Sequence, residues 1–195
     1  PKSLNPSWSK IVRYNDGKVM RTYVSKDEKW RIFLPLEQID PLIIQTTVLY
    51  EDRFYLHHPG INLVSLVRAF YQNIKAKKIV SGGSTLSMQL ARITEPKPRT
   101  VLAKLIEIFR ALQFELHLGK KKILELYLNL APYGGNVEGI GAACLAYYNR
   151  LPEHMTPAEV AFLVSLPQSP SLRRPREQTS ILDGRNSVLL VMLKY

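Results

Sequence analysis

From Asp40 and Pro41 onward, almost every stretch of the chain repeats its apolar residues at helical spacing, and this succession narrows the fold more than any other feature. The segments are PLIIQTTVLYEDRF (41–54), INLVSLVRAFYQNI (61–74), STLSMQLARI (84–93), TVLAKLIEIFRALQFEL (100–116), KKILELYLNL (121–130), EGIGAACLAYYNRL (138–151) and PAEVAFLVSL (157–166). An apolar stripe recurring every three to four residues is buried most readily against other helices, so the body is mainly α. Thr156, Pro157 and Glu159 form a capping box with proline at the first helical position, and Gly119 ends the helix that carries Glu107. The opening part, 11–39, alternates in character around an Asp16-Gly17 turn and reads as a short β-hairpin. The hairpin is an accessory element.

The 195 residues suffice for one well-cored domain, and their formal charge of +11 predicts an anionic partner: nucleic acid, anionic membrane or phosphorylated substrate. The single cysteine, Cys144, lies in the small-residue run GAACLAYY and reads as helix packing. No stretch approaches the apolar length of a spanning helix and no signal peptide opens the chain, which looks cut from something longer.

Two acidic sites invite chemistry. In 100–116 the positions Leu102, Leu105, Ile106, Phe109, Leu112 and Leu116 define the expected buried stripe, with Glu107 off its centre. Ala103 and Ala111, one turn to either side, would leave room around that carboxylate, and Lys104 and Arg110 stand at i−3 and i+3. A solvated face with a salt bridge is the plainer reading of this helix alone. In LYEDRFYLHHPG, Glu51 and Asp52 close an apolar run, where partial burial would suit a carboxylate to act as a base. A capping or ion-pairing role is the alternative. His57 and His58 have no companions at metal-ligand spacing, and no dedicated metal site is expected.

Between these lies SGGSTLSMQLAR (81–92), glycine followed by hydroxyl residues opening onto a helix. The Walker lysine is absent and no βαβ unit surrounds it, which excludes nucleotide and dinucleotide signatures. What remains is a backbone that bends, hydroxyls on Ser84 and Thr85, and N–H groups at a helix start. If Arg92, Arg99 and Lys104 converge on it, the place suits a diphosphate. SWSK (7–10) matches a penicillin-binding pattern in letters only, since no K-T-G follows.

Taken together, EDRFYLHHPG, GGSTLSMQLAR, RTVLAKLIE and KKILELYLNLAPYGG resemble, in order and spacing, the family 51 glycosyltransferases, which polymerise peptidoglycan. The resemblance runs from about Leu36 to the C-terminus, so the expected division is an accessory segment at 1–35 and a main domain at 36–195. It implies a lysozyme-like, two-lobed helical domain with a cleft, here preceded by a short N-terminal β-hairpin. It also implies Glu51 as the general base and Glu107 as the glutamate that assists the departing diphosphate or its metal. Asp52, His58, Ser84, Thr85, Gln89, Arg92, Arg99, Lys104, Lys120, Glu125, Tyr127 and Asn129 match substrate-groove positions. The chain departs from the commonest pattern with Tyr55 for phenylalanine, Met88 for the first of two glutamines, Arg92 for lysine and Ala103 for arginine.

The implied reaction is inverting transfer of the growing glycan chain onto the 4-hydroxyl of lipid II, releasing undecaprenyl diphosphate from the chain, at the periplasmic face of a bacterial inner membrane. A divalent cation, Mg²⁺ or Mn²⁺, could share the phosphate charge. The resemblance further implies a transpeptidase domain in the same full-length chain and no nucleic-acid partner. The segment 61–80, apolar on one face with Lys75, Lys77 and Lys78, would touch the membrane. A lysozyme-like lytic enzyme and a basic helical nucleic-acid-binding module are the competing readings.

Overall fold

The computed structural model describes residues 4–17, 19–76, 83–98, 100–168 and 178–195. Among them the α-helices are α1 (Pro41–Glu51), α2 (Leu63–Ala76), α3 (Leu86–Thr94), α4 (Val101–Leu130), α5 (Ile140–Tyr148), α6 (Pro157–Ser165) and α7 (Gln178–Lys194). The strands are β1 (Lys10–Arg13), β2 (Val19–Tyr23), β3 (Trp30–Arg31), β4 (Pro132–Gly134) and β5 (Val137–Glu138). The mainly helical body and the N-terminal hairpin are as the sequence implies. The chain divides into two compact units, one made of Pro1–Tyr50 with Leu128–Tyr195, the other of Glu51–Tyr127. Residues 1–35 thus share a unit with the C-terminal helices.

In the first unit, β1 and β2 pair antiparallel around a turn closed by Gly17 N–H donating to the Tyr14 carbonyl. A second small sheet has the order β3-β5-β4, with β3 parallel to β5. Arg31, almost fully buried, ties these pieces down by donating to Glu138, Asp27 and the Ser7 carbonyl. Asn129 is completely buried and clasps the backbone of Leu34 from both sides, accepting from its N–H and donating to its C=O at 2.8 Å each. Around them α5 and α6 bury Ile140, Ala143, Cys144, Val160, Leu163 and Val164. Burial pushes the Cys144 thiol up to about 12, consistent with packing rather than reactivity. The capping box at α6 is formed, with Thr156 Oγ1 accepting from Glu159 N–H and Glu159 accepting from Thr156 N–H.

In the second unit, α4 breaks at Gly119, whose φ of 71° and ψ of 165° leave the helical region, where the sequence placed a helix end. The stripe expected to be buried on this helix is not. Leu102, Leu105, Phe109 and Leu116 are 67%, 57%, 60% and 83% exposed, while Ala103, Ala111 and Phe114 are buried. The two alanines read as space around Glu107 are the packing face itself. Small residues let backbones approach, and Gly60 shows how closely: a Cβ there would lie 3.0 Å from the Ala111 carbonyl oxygen and 2.7 Å from Glu115 Cγ. Helix α2 likewise exposes Leu63, Val64, Val67, Tyr71 and Ile74. A Cβ on Gly83 would meet its backbone at 2.9 Å, so the glycine before α3 is required by close packing.

Candidate active site

The helical pattern 41–54 stops early, at Glu51, because Asp52 is taken out of the helix by three bonds. Its carboxylate accepts from His58 Nε2 at 3.0 Å and from the backbone N–H of Leu86, the first residue of α3, also at 3.0 Å. Gly60 N–H donates to His58 Nδ1, so that nitrogen is bare and the ring hydrogen is the one on Nε2, facing Asp52. Thr85 caps α3, accepting from Met88 N–H and donating to the Gly60 carbonyl at 2.6 Å. Thus two of the N–H groups anticipated for a substrate phosphate are occupied by Asp52 and Thr85. The helix N-terminus attracts an anion, but the anion is the protein's own. Asp52, His58 and Thr85, all expected on the substrate groove, are largely buried and bond to the loop and helix around them.

Ser84, the next hydroxyl back, is placed differently. Lys104 Nζ donates to its Oγ at 2.6 Å and Arg92 Nη2 at 3.3 Å. Both cations also meet Glu107: Arg92 through Nε and Nη2 at 2.7 and 3.0 Å, Lys104 at 3.0 Å. Arg92 and Lys104 therefore meet at Ser84 as anticipated, and both also pair with Glu107. Arg99 lies outside the described residues. Burial alone would raise the Glu107 carboxyl, but the hydrogen bonds from Arg92 and Lys104 outweigh it and hold the group below the usual carboxylate range. Burial holds Lys104 below the usual lysine range despite its bond to Glu107. Arg92 and Lys104 remain partly open, with side chains 42% and 34% exposed.

Glu51, half-buried, accepts from Gln89 Nε2 at 2.9 Å, and the buried Tyr127 hydroxyl donates to Gln89 Oε1 at 3.3 Å. Lys120 donates to the His58 carbonyl at 2.6 Å and to Glu115 at 2.8 Å, and stacks 4.5 Å over the Tyr55 ring. Glu125 pairs with Lys122 along the helix. Asn129 belongs to the other unit, clasping Leu34 as described.

One cluster escaped the sequence reading. Glu115 receives both Lys120 and the Ser87 hydroxyl, while Tyr55 donates its phenol to the Lys120 carbonyl at 2.8 Å. Burial first, then the charges of Glu115 and Asp52, raise the Tyr55 phenol, keeping it a donor. Helical spacing could not reveal the Glu115–Lys120 pair, because the break at Gly119 lies between them. A cavity of 840 Å³ lies apart in the first unit, lined by hairpin residues such as Arg13 and Met20 and by Trp30, Leu145 and Arg150, and it contains none of the expected site residues.

Residues 16–194 match the transglycosylase family, and the chain belongs to it. The family match begins within the hairpin, upstream of the motifs. Over 187 residues the chain is 42% identical to penicillin-binding protein 1C of Escherichia coli strain K12, covering 95% of this chain and 24% of that protein. It is 35% identical over 178 residues to penicillin-binding protein 1B of Haemophilus influenzae, covering 88% and 23%. The chain thus spans about a quarter of the length of the curated relatives it matches. The crystal structure of penicillin-binding protein 1A from Haemophilus influenzae superposes with a TM-score of 0.50 at 19% identity, over 97% of this chain and 18% of that one, and shares its fold.

Proposed function

We propose that this chain polymerises lipid II into glycan strands, as a peptidoglycan glycosyltransferase in cell-wall synthesis. The observation that carries the proposal is the meeting of Arg92 and Lys104 at Ser84 and Glu107. Two cations and one carboxylate leave a local positive charge, held in place before any substrate arrives. Oriented charge of this kind stabilises a leaving diphosphate without reorganising during the reaction.

In the proposed reaction Glu51 takes the proton from the acceptor sugar's 4-hydroxyl as that oxygen bonds to the donor's anomeric carbon. The bond from that carbon to the diphosphate oxygen breaks on the opposite face, its electron pair leaves with undecaprenyl diphosphate, and the configuration inverts. Arg92, Lys104 and the Ser84 hydroxyl take up the developing charge. Glu107 keeps both cations at their stations. A divalent ion does not fit on Glu107, whose oxygens already face two cations. No step is routed through a metal.

A lipid-linked substrate requires the enzyme to work at a bilayer, and the exposed apolar faces of α2 and α4 support shallow contact with an anionic one. No helix among the described residues is long and apolar enough to cross a membrane. We place the chain at the periplasmic face of the inner membrane, with a transpeptidase domain in the same full-length protein, in line with its penicillin-binding relatives.

The test is polymerisation of lipid II by the full-length protein and its Glu51→Gln variant. Loss of a general base is expected to slow the reaction by about a hundredfold or more. A Glu51→Gln protein that polymerises undiminished, or a wild-type protein that makes no glycan, overturns the proposal.

A further inference from the structure

We infer that Gln89 and Tyr127 form a hydrogen-bonded chain that orients the Glu51 carboxylate, making them positioning residues for the reaction rather than substrate contacts. The inference rests on the reading of Glu51 as the base. Its geometric basis is the sequence of bonds Tyr127 Oη to Gln89 Oε1, 3.3 Å, and Gln89 Nε2 to Glu51 Oε2, 2.9 Å.

The order of donors gives this chain a direction. A carboxamide has one accepting end and one donating end. With the phenol hydrogen directed at Oε1, the amide must turn Nε2 toward Glu51. An N–H pointed at one carboxylate oxygen favours the ionised form and restrains rotation of the group. Such a restraint keeps a base within reach of the proton it abstracts, and displacement by about an ångström can cost two orders of magnitude in rate.

Three elements contribute one residue each: Glu51 ends α1, Gln89 stands in α3 and Tyr127 in α4. Tyr127 is only 1% exposed, so its ring is fixed by packing. The neighbour of Gln89 is Met88, fully buried where the family's commonest pattern has a second glutamine. The amide that reaches Glu51 is therefore the one at 89.

The chain predicts a pattern in the kinetics that neither substrate binding nor general stability produces. The full-length protein would be compared with Gln89→Leu, Tyr127→Phe and the double variant, measuring kcat and KM for lipid II together with the thermal midpoint. Losing a hydrogen bond to a charged group makes Gln89→Leu lower kcat roughly tenfold, with KM within about twofold. Tyr127→Phe keeps the ring and lowers kcat about threefold, and the double variant is no slower than Gln89→Leu alone, because the phenol reaches Glu51 through the amide. Gln89→Met replaces leucine if leucine disturbs the fold. A rise in KM at unchanged kcat, losses that multiply in the double variant, or a Tyr127→Phe protein equal to wild type overturns the inference. Glu51→Gln measured alongside separates the two levels. If it is fully active, the assignment of the base fails. If it is inactive while Tyr127→Phe is unaffected, only the positioning chain fails.

Discussion

Helix α6 and the first half of α4 carry similar apolar patterns and use them in opposite ways. In α6 the large residues Leu163, Val160 and Val164 are buried, and they hold the first unit together. In α4 the packing is left to Ala103, Ala111 and Phe114, while Leu102, Leu105 and Phe109 face outward. Polar groups do not divide along the same line. Asn129 and Thr156 of the first unit and Asp52 and Thr85 of the second all bond backbone, while Arg31 with Glu138 in the first and Arg92 and Lys104 with Glu107 in the second bond one another. The contrast teaches that amphipathic periodicity identifies a helix without telling which side the fold claims. Where small residues line one face and large ones the other, close backbone approach can outbid the larger apolar area.

Substitutions at matched positions can break this comparison. Leu163→Ala should cost about 3 kcal/mol in urea unfolding, the ordinary penalty for a cavity in a packed core. Leu105→Ala should stay within about 0.5 kcal/mol of wild type, as for other exposed sites, and should instead weaken binding to anionic vesicles. A comparable loss of stability in the two variants would remove the distinction. Asn129→Ala leaves a buried N–H and C=O of Leu34 without their partner and should cost about 2 kcal/mol by the same measurement. For Thr156→Ala the loss of the cap at α6 predicts about 1 kcal/mol, with the rest of the unit unchanged.

The smallest effect should be the dependence of stability on pH set by Glu107. Its carboxyl lies below the usual range in the folded protein, so the folded state binds its proton less readily than the unfolded state. The resulting stabilisation is present above the ordinary carboxylate value and disappears as the pH falls through the depressed one. Unfolding free energies of wild type and Glu107→Gln, followed from neutral to acid pH, should converge on acidification. A difference that stays constant, or grows toward acid, would contradict the ionised cluster.

Much of the frame was legible in the sequence: the helices, the hairpin at Asp16-Gly17, the break at Gly119 and the cap at Thr156 all follow from local rules of backbone geometry. The approach of Ser84, Arg92, Lys104 and Glu107 was legible as a possibility only, since charge and order suggest it while distance cannot be read along a chain. For Asp52 a capping or ion-pairing role was open as an alternative, but its partners, His58 and the start of α3, were hidden. A carboxylate beside a candidate base looks the same in sequence whether it faces a substrate or caps a helix.

By itself, then, the sequence determined which segments become helices, where they start and stop, and which family the motifs resemble, because propensity, capping and spacing act over a few residues. Only the tertiary structure decided which face of α4 is buried, that Asp52 completes α3, and that Tyr127 reaches Glu51 through Gln89. Those outcomes depend on which surfaces meet. A hydrogen bond between residues 51 and 89 exists only once folding has brought the two side chains together.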